Sequence, residues 1–588
     1  MFLVTTADQQ FWKNDERIIF LGEWCKVFDQ KQVWEKLDYE VLPYHWDDRK
    51  QLYEDYKYLD RIYEKKLEEM AGQLNSFHDV SYSNRYWRII LGPWLHLFIE
   101  ILFDRYLSIR AAIDSGKVKN VWVPSIPANS IVPLDYLYYK SRFCVADDYN
   151  LFLYGRIIEA LGEIPYQTKP VTSSTSSTDD FLKDPTVVFD KTFIQKLMLV
   201  YSKTIPERWI KFVFVNSYLK PKNLVYLQLA LGQLPYLYSP FVVSVDAPAE
   251  STSRKKLFLP EGENQFEVLL NSLIPEQIPR VYLEGYSRMN LRSLEAFPKH
   301  PRVIFTTNGL YSYEGFKFWA AHHIERGVKL AGAPHGGHSG TGVWSVNESH
   351  EHKVADRYYT WGWEDPAQAK IAPLTSGQLI GMDGKIRPDT EGGILLVANS
   401  FPRYSYSLVS MPVGPQVLDY IKDMEAFCGA VSKKVFDLLL LRLYPMERGW
   451  KEAMRWAESN PSLNLYQGRS SIYKQMNKSR LAIVTYIGTC YLETFAGNYP
   501  TILFWGPKYN EIRPSAKPYF DNLRQVGILH DSPESAAEKV NEIYLDPLSW
   551  WSSSQVQEAK DKFCDQFART SKTWRAQWKK ELMKLALE

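Results

Sequence analysis

Residues 485–505 read TYIGTCYLETFAGNYPTILFW and carry the pattern on which the fold prediction depends. An apolar run ends at Gly488 and Thr489, a helix-forming segment with Glu493 follows, and a second apolar run closes the stretch. Short apolar runs joined by a helix are typical of parallel strands. A glycine and a small hydroxyl residue at a helix start leave backbone N–H groups and the positive dipole end available to a phosphate. The stretch therefore predicts a strand–helix–strand unit, either ordinary or anion-binding.

The alternation of apolar runs with helix-forming segments continues on both sides of this stretch. Unbroken apolar runs separated by helices predict an α/β protein with parallel sheets that are covered on both faces. The other predicted strands are MFLVTT (1–6), ERIIFLG (16–22), VKNVWVPSIP (118–127), RVIFTT (302–307), VKLAGAPHGG (328–337), ADRYYTWGW (355–363), GILLVANS (393–400), VFDLLLLRLYP (435–445) and LNLYQG (463–468).

Long helices are predicted in three places. Residues 47–70 have apolar side chains at heptad-like spacing amid dense charge, with Asp47 as the N-cap. Residues 84–116 are apolar nearly all round, which predicts a buried helix that is kinked at its Gly-Pro pair. The C-terminal residues 554–588 carry one apolar stripe and predict a single long amphipathic helix.

Length and composition exclude several classes of protein. At 588 residues the chain exceeds what one hydrophobic core supports, so at least two domains are expected. A hydrophobic content of 45%, a charged content of 23% and a net charge of +2 indicate a globular protein that does not coat polyanions. The 19 Trp, 38 Tyr and 29 Phe residues fit a protein that handles carbohydrates or nucleotides, because aromatic rings stack on sugars and bases.

Targeting and cysteine patterns indicate a reducing compartment. The five cysteines are scattered and form no C-x-x-C pair, which argues against a zinc or disulfide framework. The N-terminal residues 1–12 lack the basic segment of a signal peptide, and the most apolar run, residues 89–99, is shorter than a spanning helix. We therefore expect a cytoplasmic protein and leave peripheral association with the inner face of the membrane open.

The best domain boundary lies at residues 364–391, which are rich in Pro, Gly, Asp and Thr. We expect an N-terminal domain over residues 1–363 with helical insertions and a C-terminal domain over 392–553. The terminal helix, 554–588, is expected to cross back to the first domain. The Ser/Thr-rich segment TKPVTSSTSSTDD (168–180) is expected to be a solvated insertion.

The loop AGAPHGGHSGTG (331–342) contains five glycines and two histidines directly after a predicted strand. Glycines such as Gly336 and Gly337 let a backbone approach a ligand closely. A neutral imidazole can act as a base, and a protonated one can pair with phosphate. His335 leads the glycine pair, which favours it over His338 as the functional histidine, and a purely structural histidine remains the alternative.

A second strand end, in LLLLRLYPMERGW (438–450), places Arg442 and Tyr444 after an apolar run. A guanidinium at such a position can bind phosphate with two parallel hydrogen bonds. The alternative is an arginine that is held by a surface carboxylate.

The N-terminal half offers weaker candidates. Asp8 and Glu23 follow predicted strands and are candidate catalytic carboxylates. In the cluster YHWDDR, His45, Trp46 and Asp48 are candidates for an acceptor cleft. Each of these residues is alternatively a helix cap or a salt-bridge partner.

Several motifs are missing from the sequence. No Asp-x-Asp occurs, so the metal-clamping motif of GT-A enzymes is absent. The chain has no G-x-x-x-x-G-K-[ST], no G-x-G-x-x-G and no G-x-S-x-G, which argues against P-loop kinases, dinucleotide oxidoreductases and serine hydrolases. The loosely placed histidines form no recognisable zinc motif.

The opening stretch resembles the donor-site unit of GT-B glycosyltransferases, which carries a G/S/T-rich turn and an E-x-x-x-x-G-x-P helix. Glu493 and Pro500 match this pattern in register, whereas Asn498 occupies the place of its glycine and Gly497 stands one residue early. In bacterial CMP-sugar transferases of GT-B type a basic residue and a His-Pro pair occupy a similar strand end, and Tyr444 here stands where those proteins have histidine.

Six segments together resemble a family of transferases encoded among O-antigen and other surface-polysaccharide genes. They are FLGEWC, YHWDDR, ILGPWL, PHGGHSG, LRLYP and YLETFAGNYPTI. The resemblance implies a GT-B-like fold with two Rossmann-like domains that face a cleft. It also implies a glycosyltransferase that moves a sugar from a nucleotide-sugar donor to a glycan or lipid-linked glycan acceptor. A CMP-activated ulosonic acid is one candidate donor, and UDP- and GDP-sugars stay open.

The predicted roles follow from these patterns and from the resemblance. The donor would be held by Arg442, Tyr444, Gly488, Thr489, Glu493, Gly336 and Gly337. His335, Asp8 and Glu23 are the catalytic candidates, and His45, Trp46 and Asp48 lie on the acceptor side. We expect no metal, no cofactor and no nucleic-acid partner. A nucleotide-sugar epimerase of the same architecture and a non-catalytic polysaccharide-assembly protein are the alternatives.

Overall fold

The computed structural model describes residues 1–171, 201, 204–236 and 243–588. These residues form two compact units, whose bounds are Met1–Val215, Gln233–Leu330 and Arg403–Leu408 for unit 1, and Asn216–Gly232, Ala331–Pro402 and Val409–Glu588 for unit 2. Most of the predicted Ser/Thr-rich insertion lies outside the described residues. The predicted domain boundaries stay a prediction, although residues 331–391 belong to unit 2.

The first sheet lies in unit 1 and is parallel throughout. Its strands follow the order β3-β2-β1-β4-β5. The strand bounds are Phe2–Val4 (β1), Ile18–Phe20 (β2), Tyr39–Val41 (β3), Asn120–Ser125 (β4) and Tyr166–Pro170 (β5). Every residue of β1 and β2 is buried, as expected for parallel strands that are covered on both faces.

The next strands along the chain are also parallel. In unit 1, β6 (Phe212–Val215) pairs with β7 (Val303–Thr306). Strand β8 (Lys329–Gly332) ends in unit 2, where its last residues pair with β9 (Arg357–Thr360). Strand β10 (Ile371–Pro373) pairs with β9 and lies inside the predicted linker, where the sequence analysis expects no strand.

The largest sheet lies in unit 2, with parallel strands in the order β13-β12-β11-β14-β15-β16. Their bounds are Gly393–Val397 (β11), Leu439–Arg442 (β12), Asn464–Tyr466 (β13), Ser479–Val484 (β14), Thr501–Phe504 (β15) and Leu529–His530 (β16). Ile394 and Leu396 enter one hydrophobic core, and Leu395 and Val397 enter another. Both faces are therefore covered, and the predicted α/β class with parallel sheets is confirmed.

Helices cover these sheets in both units. The helices of unit 1 are Lys31–Trp34, Arg49–His78, Asn84–Ile90, Gly92–Asp114, Tyr136–Tyr138, Asp147–Leu161, Ser251–Arg254, Gln265–Gln277, Tyr286–Ala296 and Glu314–Ile324. Those of unit 2 are Pro221–Ala230, Val346–Val354, Val417–Ala430, Lys433–Phe436, Glu452–Ser459, Ile472–Met476, Thr489–Ala496, Lys517–Gln525, Pro533–Ile543, Pro547–Trp551, Ser554–Phe567 and Trp574–Leu585.

Two predicted helices differ from the observed ones. The first begins at Arg49 and extends to His78, because Asp48 rather than Asp47 is the N-cap and accepts hydrogen bonds from the next turn. The predicted C-terminal helix is two helices, interrupted at residues 568–573. The last helix packs within unit 2, where the indole of Trp578 donates to the carbonyl of Thr375 at 3.0 Å.

The predicted kink before Pro93 is confirmed. Helix Asn84–Ile90 ends at Leu91, and the next helix starts at 68° to it. Pro93 sits in the first turn of that second helix, where a missing N–H costs nothing. Within the described residues no single helix has the length and apolarity to cross a membrane, although this bent pair meets those two criteria together.

The segment Arg403–Leu408 interrupts unit 2 in sequence but belongs to unit 1, where charged side chains hold it. Arg403 pairs with Asp147 at 2.5 Å, and Tyr404 donates to the same carboxylate. Arg105 donates to the carbonyl of Ser405 at 2.8 Å. Arg403 and Arg105 are buried, so their ion pairs and hydrogen bonds replace lost hydration.

We expect Arg403→Met to lower the free energy of unfolding by about 3 kcal/mol, because the Asp147 carboxylate loses its buried partner. Urea unfolding measures the change. The matched control is Lys433→Met, which breaks a pair with Asp437 whose side chains are 85% and 58% exposed, and it should cause no measurable loss. Equal losses in the two variants would contradict a special role for the Arg403 pair.

Candidate functional site

The carboxyl edge of the largest sheet is where the geometry favours a ligand. Counted along the chain from β11, its strand order is 3-2-1-4-5-6, with β11 and β14 adjacent at the point where the order reverses. In open parallel sheets, ligands bind outside the carboxyl ends of the strands at this reversal. The loops after Val397 and Val484 are therefore the first place to look for a site.

The loop after β14 leads directly into helix Thr489–Ala496. Gly488 precedes the helix in an extended conformation, and the ring of Tyr486 packs against it. Glycine has no side chain with which to cap the first N–H groups of the helix. Those groups and the positive end of the helix dipole therefore remain suited to an anion.

The glycine-rich loop packs on this helix start, within unit 2. A Cβ at Gly337 would overlap the carbonyl oxygen of Gly488 and would lie 2.7 Å from Cδ1 of Leu492. A Cβ at Gly336 would stand 3.5 Å from the hydroxyl oxygen of Thr489. The sequence predicts both loops, about 150 residues apart, as parts of the donor site, with the glycine-rich loop in the N-terminal domain, and the structure brings them into contact within unit 2.

Arg513 and Glu348 hold the glycine-rich loop in its path. Arg513 donates to the carbonyl of Gly342 at 2.9 Å and pairs with Glu348 at 3.0 Å. Glu348 accepts the backbone N–H of Gly340, which has a positive φ of 79°. Burial raises the pKa of Glu348, and Arg513 opposes this shift. Neither side chain is singled out by the sequence analysis, because the partners are distant in the chain.

The two histidines of the loop differ in environment. His338 is partly buried, and a Cβ at Gly342 would overlap its ring. Burial, and then the charge of Arg513, lowers the pKa of His338 to about 4, so it stays neutral. The side chain of His335 is 34% exposed, and its Nδ1 lies 3.3 Å from Oε1 of Glu351. Both histidines are partly exposed, and His335 is the one that lies beside a carboxylate.

Glu493 lies one helical turn after Thr489 and is buried. Its Oε1 accepts hydrogen bonds from the hydroxyl of Tyr473 at 2.7 Å and from the amide of Gln378 at 3.1 Å. Burial raises the pKa of Glu493, while both hydrogen bonds oppose this shift. The carboxylate is therefore held in one orientation beside the helix start.

The turn after this helix accommodates Asn498, which stands where the donor-site pattern has glycine. Asn498 has a φ of 49°, in the left-handed region. Its side-chain oxygen accepts from Trp551 at 2.9 Å and from Lys560 at 3.1 Å. These two hydrogen bonds offset the cost of a left-handed residue, so glycine is not required there.

Arg442 is placed differently from its predicted role. The guanidinium is buried, donates to Gln475 at 2.9 Å and to the carbonyl of Ser470 at 2.7 Å, and lies over the ring of Tyr466. Both terminal nitrogens thus hold the segment after β13. Tyr444 is 39% exposed and stacks with Arg448. Phosphate binding by Arg442 stays a prediction, and its observed contacts are those of a positioning residue.

A pair of carboxyl groups at this edge escapes the sequence analysis. Ser400, after β11, donates to Oε1 of Glu452 at 2.5 Å, and Glu447 accepts the backbone N–H groups of Gly449 and Lys451. Burial raises the pKa of Glu452 to about 7; the Ser400 hydrogen bond opposes this shift and Glu447 adds to it. Only the fold brings these groups together.

The catalytic candidates of the N-terminal half lie in unit 1. Asp8 caps a short turn by accepting the backbone N–H of Gln10 at 3.0 Å. Burial raises the pKa of Asp8. Glu23 pairs with Lys26 at 3.0 Å. Both contacts match the structural alternative, and a catalytic role for either residue stays a prediction.

The acceptor-side candidates also have internal partners in unit 1. Trp46 is wholly buried and donates to Asp55 at 2.9 Å, so its ring has no surface left for a ligand. Asp48 is the N-cap of its helix. His45 is partly buried and lies 3.4 Å from Asp104, whereas Asp48 is exposed.

The acidic and histidine side chains named above are dispersed rather than gathered at one point. Across the described ranges, no group of three or more His, Cys, Asp or Glu side chains is arranged to hold a metal ion.

We expect Gly337→Ala to lower the free energy of unfolding by about 1–3 kcal/mol, because its Cβ overlaps the Gly488 carbonyl and forces two backbones apart. Thermal unfolding measures the change. Gly384→Ala is the control, since a Cβ there meets no heavy atom within 4 Å. If both variants melt at the same temperature, the loop does not pack on the helix start.

The raised pKa of Glu452 gives the protein a pH-dependent stability. Between pH 4.5 and about 7 the folded chain binds a proton that the unfolded chain releases, so stability falls as the pH rises through this window. Glu452→Gln cannot ionise and should gain melting temperature relative to the native chain between about pH 5 and 8. The control is Glu538→Gln, which removes an exposed carboxylate. The difference between its melting temperature and that of the native chain should not change with pH. If the difference in melting temperature between Glu452→Gln and the native chain does not change with pH, the pKa of Glu452 is not raised in the folded protein.

Known proteins that resemble this chain include a transferase family and two solved structures. The curated proteins contain no match to the chain. MurG of Acinetobacter baumannii is 10% identical, with a TM-score of 0.31, over 64% of this chain and 99% of that one. The wall teichoic acid polymerase TagF is 11% identical, with a TM-score of 0.32, over 67% of this chain and 93% of that one. The model of the LIC12162 family transferase matches residues 1–582. The chain therefore belongs to the LIC12162 transferase family.

Proposed function

We propose that the protein is a GT-B glycosyltransferase that moves a sugar from a nucleotide-sugar donor to a growing surface-polysaccharide acceptor without a metal ion. Family membership supplies the transferase class. The observation that carries the rest is the packing of Gly337 on the Gly488 carbonyl, which joins the histidine-bearing loop to the helix start at the strand-order reversal.

The helix start is the proposed phosphate site. The backbone N–H groups of Gly488 and Thr489, at the start of the helix, would donate to the leaving phosphate as it gains charge, and the helix fixes them before the reaction begins. Preorganised donors of this kind stabilise developing negative charge without reorganisation. The backbone of the glycine-rich loop covers the same position, because no side chain separates Gly336 from Thr489.

Glu493 is the proposed partner of donor hydroxyl groups. Its Oε1 already accepts two hydrogen bonds, and among the residues that the structure describes no donor is bonded to Oε2. A carboxylate oxygen with remaining acceptor capacity suits a ribose or sugar hydroxyl. Arg442 would contribute indirectly, by holding the segment that ends at Gln475 near Tyr473.

His335 is the proposed residue at the reacting centre. Nδ1 lies 3.3 Å from Oε1 of Glu351, and with the ring proton on Nδ1 the other nitrogen, Nε2, would serve as a base for an acceptor hydroxyl. When doubly protonated, the same ring would hold a phosphate. A transfer rate that rises with pH supports the base, and a rate that falls with pH supports the phosphate partner.

The remaining parts of the proposal follow from the family. The acceptor would be a glycan or a lipid-linked glycan at the inner face of the membrane. Asp8, Glu23 and His45 stay candidates for unit 1. CMP-, UDP- and GDP-sugars are the donors to be compared.

Nucleotide binding tests the proposal most directly. One of CMP, UDP and GDP should raise the melting temperature, because a ligand that binds only the folded chain stabilises it by mass action. Glu493→Gln and Thr489→Ala should each weaken calorimetric binding of that nucleotide about tenfold, which is about 1.4 kcal/mol. Glu538→Gln, an exposed carboxylate of unit 2, is the control. No stabilisation by any nucleotide, or unchanged binding in Glu493→Gln, would refute the proposed site.

The reaction is checked with the sugar donor of the nucleotide that binds. Transfer should persist in excess EDTA. If the protein converts the donor into an epimer in the absence of acceptor, the protein is a nucleotide-sugar epimerase and the transferase proposal is wrong.

A further inference from the structure

Two lysines of unit 2 have no role in the site described above: Lys385 lies close to Glu493, and Lys220 lies close enough to Lys385 for their charges to interact. The ammonium of Lys385 stands 3.4 Å from the centroid of the Tyr473 ring, whose hydroxyl donates to Glu493. The ammonium of Lys220 lies 3.9 Å from the position that a Cβ at Gly381 would occupy, four residues before Lys385. The two lysines come from segments far apart in the chain.

The two ammonium groups lack carboxylate partners of their own. Among the described residues, neither lies within 4.0 Å of an Asp or Glu oxygen. Burial, and then the charge of Lys220, lowers the pKa of Lys385, and Glu493 opposes this shift without cancelling it. The two ammonium groups repel each other, and a bound anion would relieve that repulsion.

Gln378 supplies an independent sign of a ligand at the same place. Its amide nitrogen donates to Glu493, while its Oε1 is buried with no donor in the described part of the chain. A buried acceptor without a donor is costly unless a ligand or water satisfies it. A ligand with both hydroxyl and anionic groups would satisfy Gln378 and the lysines together.

We propose that Lys220 and Lys385 bind a second anionic group of the donor, next to the phosphate at the Gly488 turn. This inference rests on the proposed nucleotide-sugar donor and deepens it. Thr489 and Glu493 are one helical turn apart, about 6 Å along the axis, so one small molecule reaches both places. The donor thus carries two adjacent anionic groups, either two phosphates or a phosphate and a sugar carboxylate.

Calorimetry with matched pairs of ligands separates the two sources. UDP is compared with UMP and GDP with GMP for the second phosphate, and a CMP-ulosonate is compared with CMP for the carboxylate. In one of these comparisons, the native chain should bind the ligand with two anionic groups at least tenfold more tightly than the ligand with one. Lys220→Gln and Lys385→Gln should each remove most of that preference while leaving the singly anionic member bound as before.

Lys222→Gln is the matched control, because Lys222 lies on helix Pro221–Ala230 two residues after Lys220 and its ammonium faces Tyr226. It removes the same charge and should keep the preference. Equal binding of the paired ligands by the native chain would overturn the inference. A loss in Lys222→Gln as large as in Lys220→Gln would also overturn it.

Inorganic pyrophosphate distinguishes this inference from the proposed function. If pyrophosphate binds in a lysine-dependent way and no nucleotide binds more tightly, the lysine site stands and the nucleotide donor fails. If a nucleotide binds through Glu493 and both lysine variants match the native chain, the donor site stands and the lysine site is overturned. If neither pyrophosphate nor any nucleotide binds, both are overturned.

Discussion

The close contact between two backbones, at Gly337 and Gly488, is the constraint on which the candidate site depends. It requires the absence of a side chain at Gly337, since a Cβ there would overlap the Gly488 carbonyl. It also requires that the backbone of the glycine-rich loop be fixed. Arg513 and Glu348 fix it by hydrogen bonds to backbone groups of the loop. The loop has no large apolar side chain, so these polar contacts set its path, and its glycines place no side chain over the helix start.

The sequence predicts the fold well where strands are short, apolar and separated by helices. The strands on either side of Gly488 stand where the pattern puts them, in a parallel sheet whose order reverses once. Boundaries that depend on a single cap or a break are less predictable. Asp47 and Asp48 are equally good N-caps by type, and only backbone geometry selects Asp48. Strand β10 has three residues and no periodicity long enough to detect inside a Pro/Gly-rich segment.

The site is predictable only in its local parts. Gly488, Thr489 and Glu493 belong to one helix and its cap, so their proximity follows from helical spacing. Arg442 shows the limit of that reasoning: a strand-end guanidinium suits a phosphate, yet here it is buried against partners that lie 28 and 33 residues away. Contacts across such separations decide whether a charged group is used internally or offered to a ligand. The pairing of Ser400 with Glu452, and the approach of Lys220 to Lys385, are hidden from sequence for the same reason.

Charge placement around Glu493 limits what kind of ligand fits. A lone carboxylate at this position would repel a phosphate bound at the helix start, because the two lie about one turn apart. Lys385, over the Tyr473 ring, reduces that repulsion, and Lys220 leaves a net positive charge beside it. A donor whose single anionic group is bound at the helix start would leave Lys220 without a negative partner. The local balance therefore favours a ligand that brings two negative charges and hydroxyl groups together, which is the composition of an activated sugar and not of a neutral glycan.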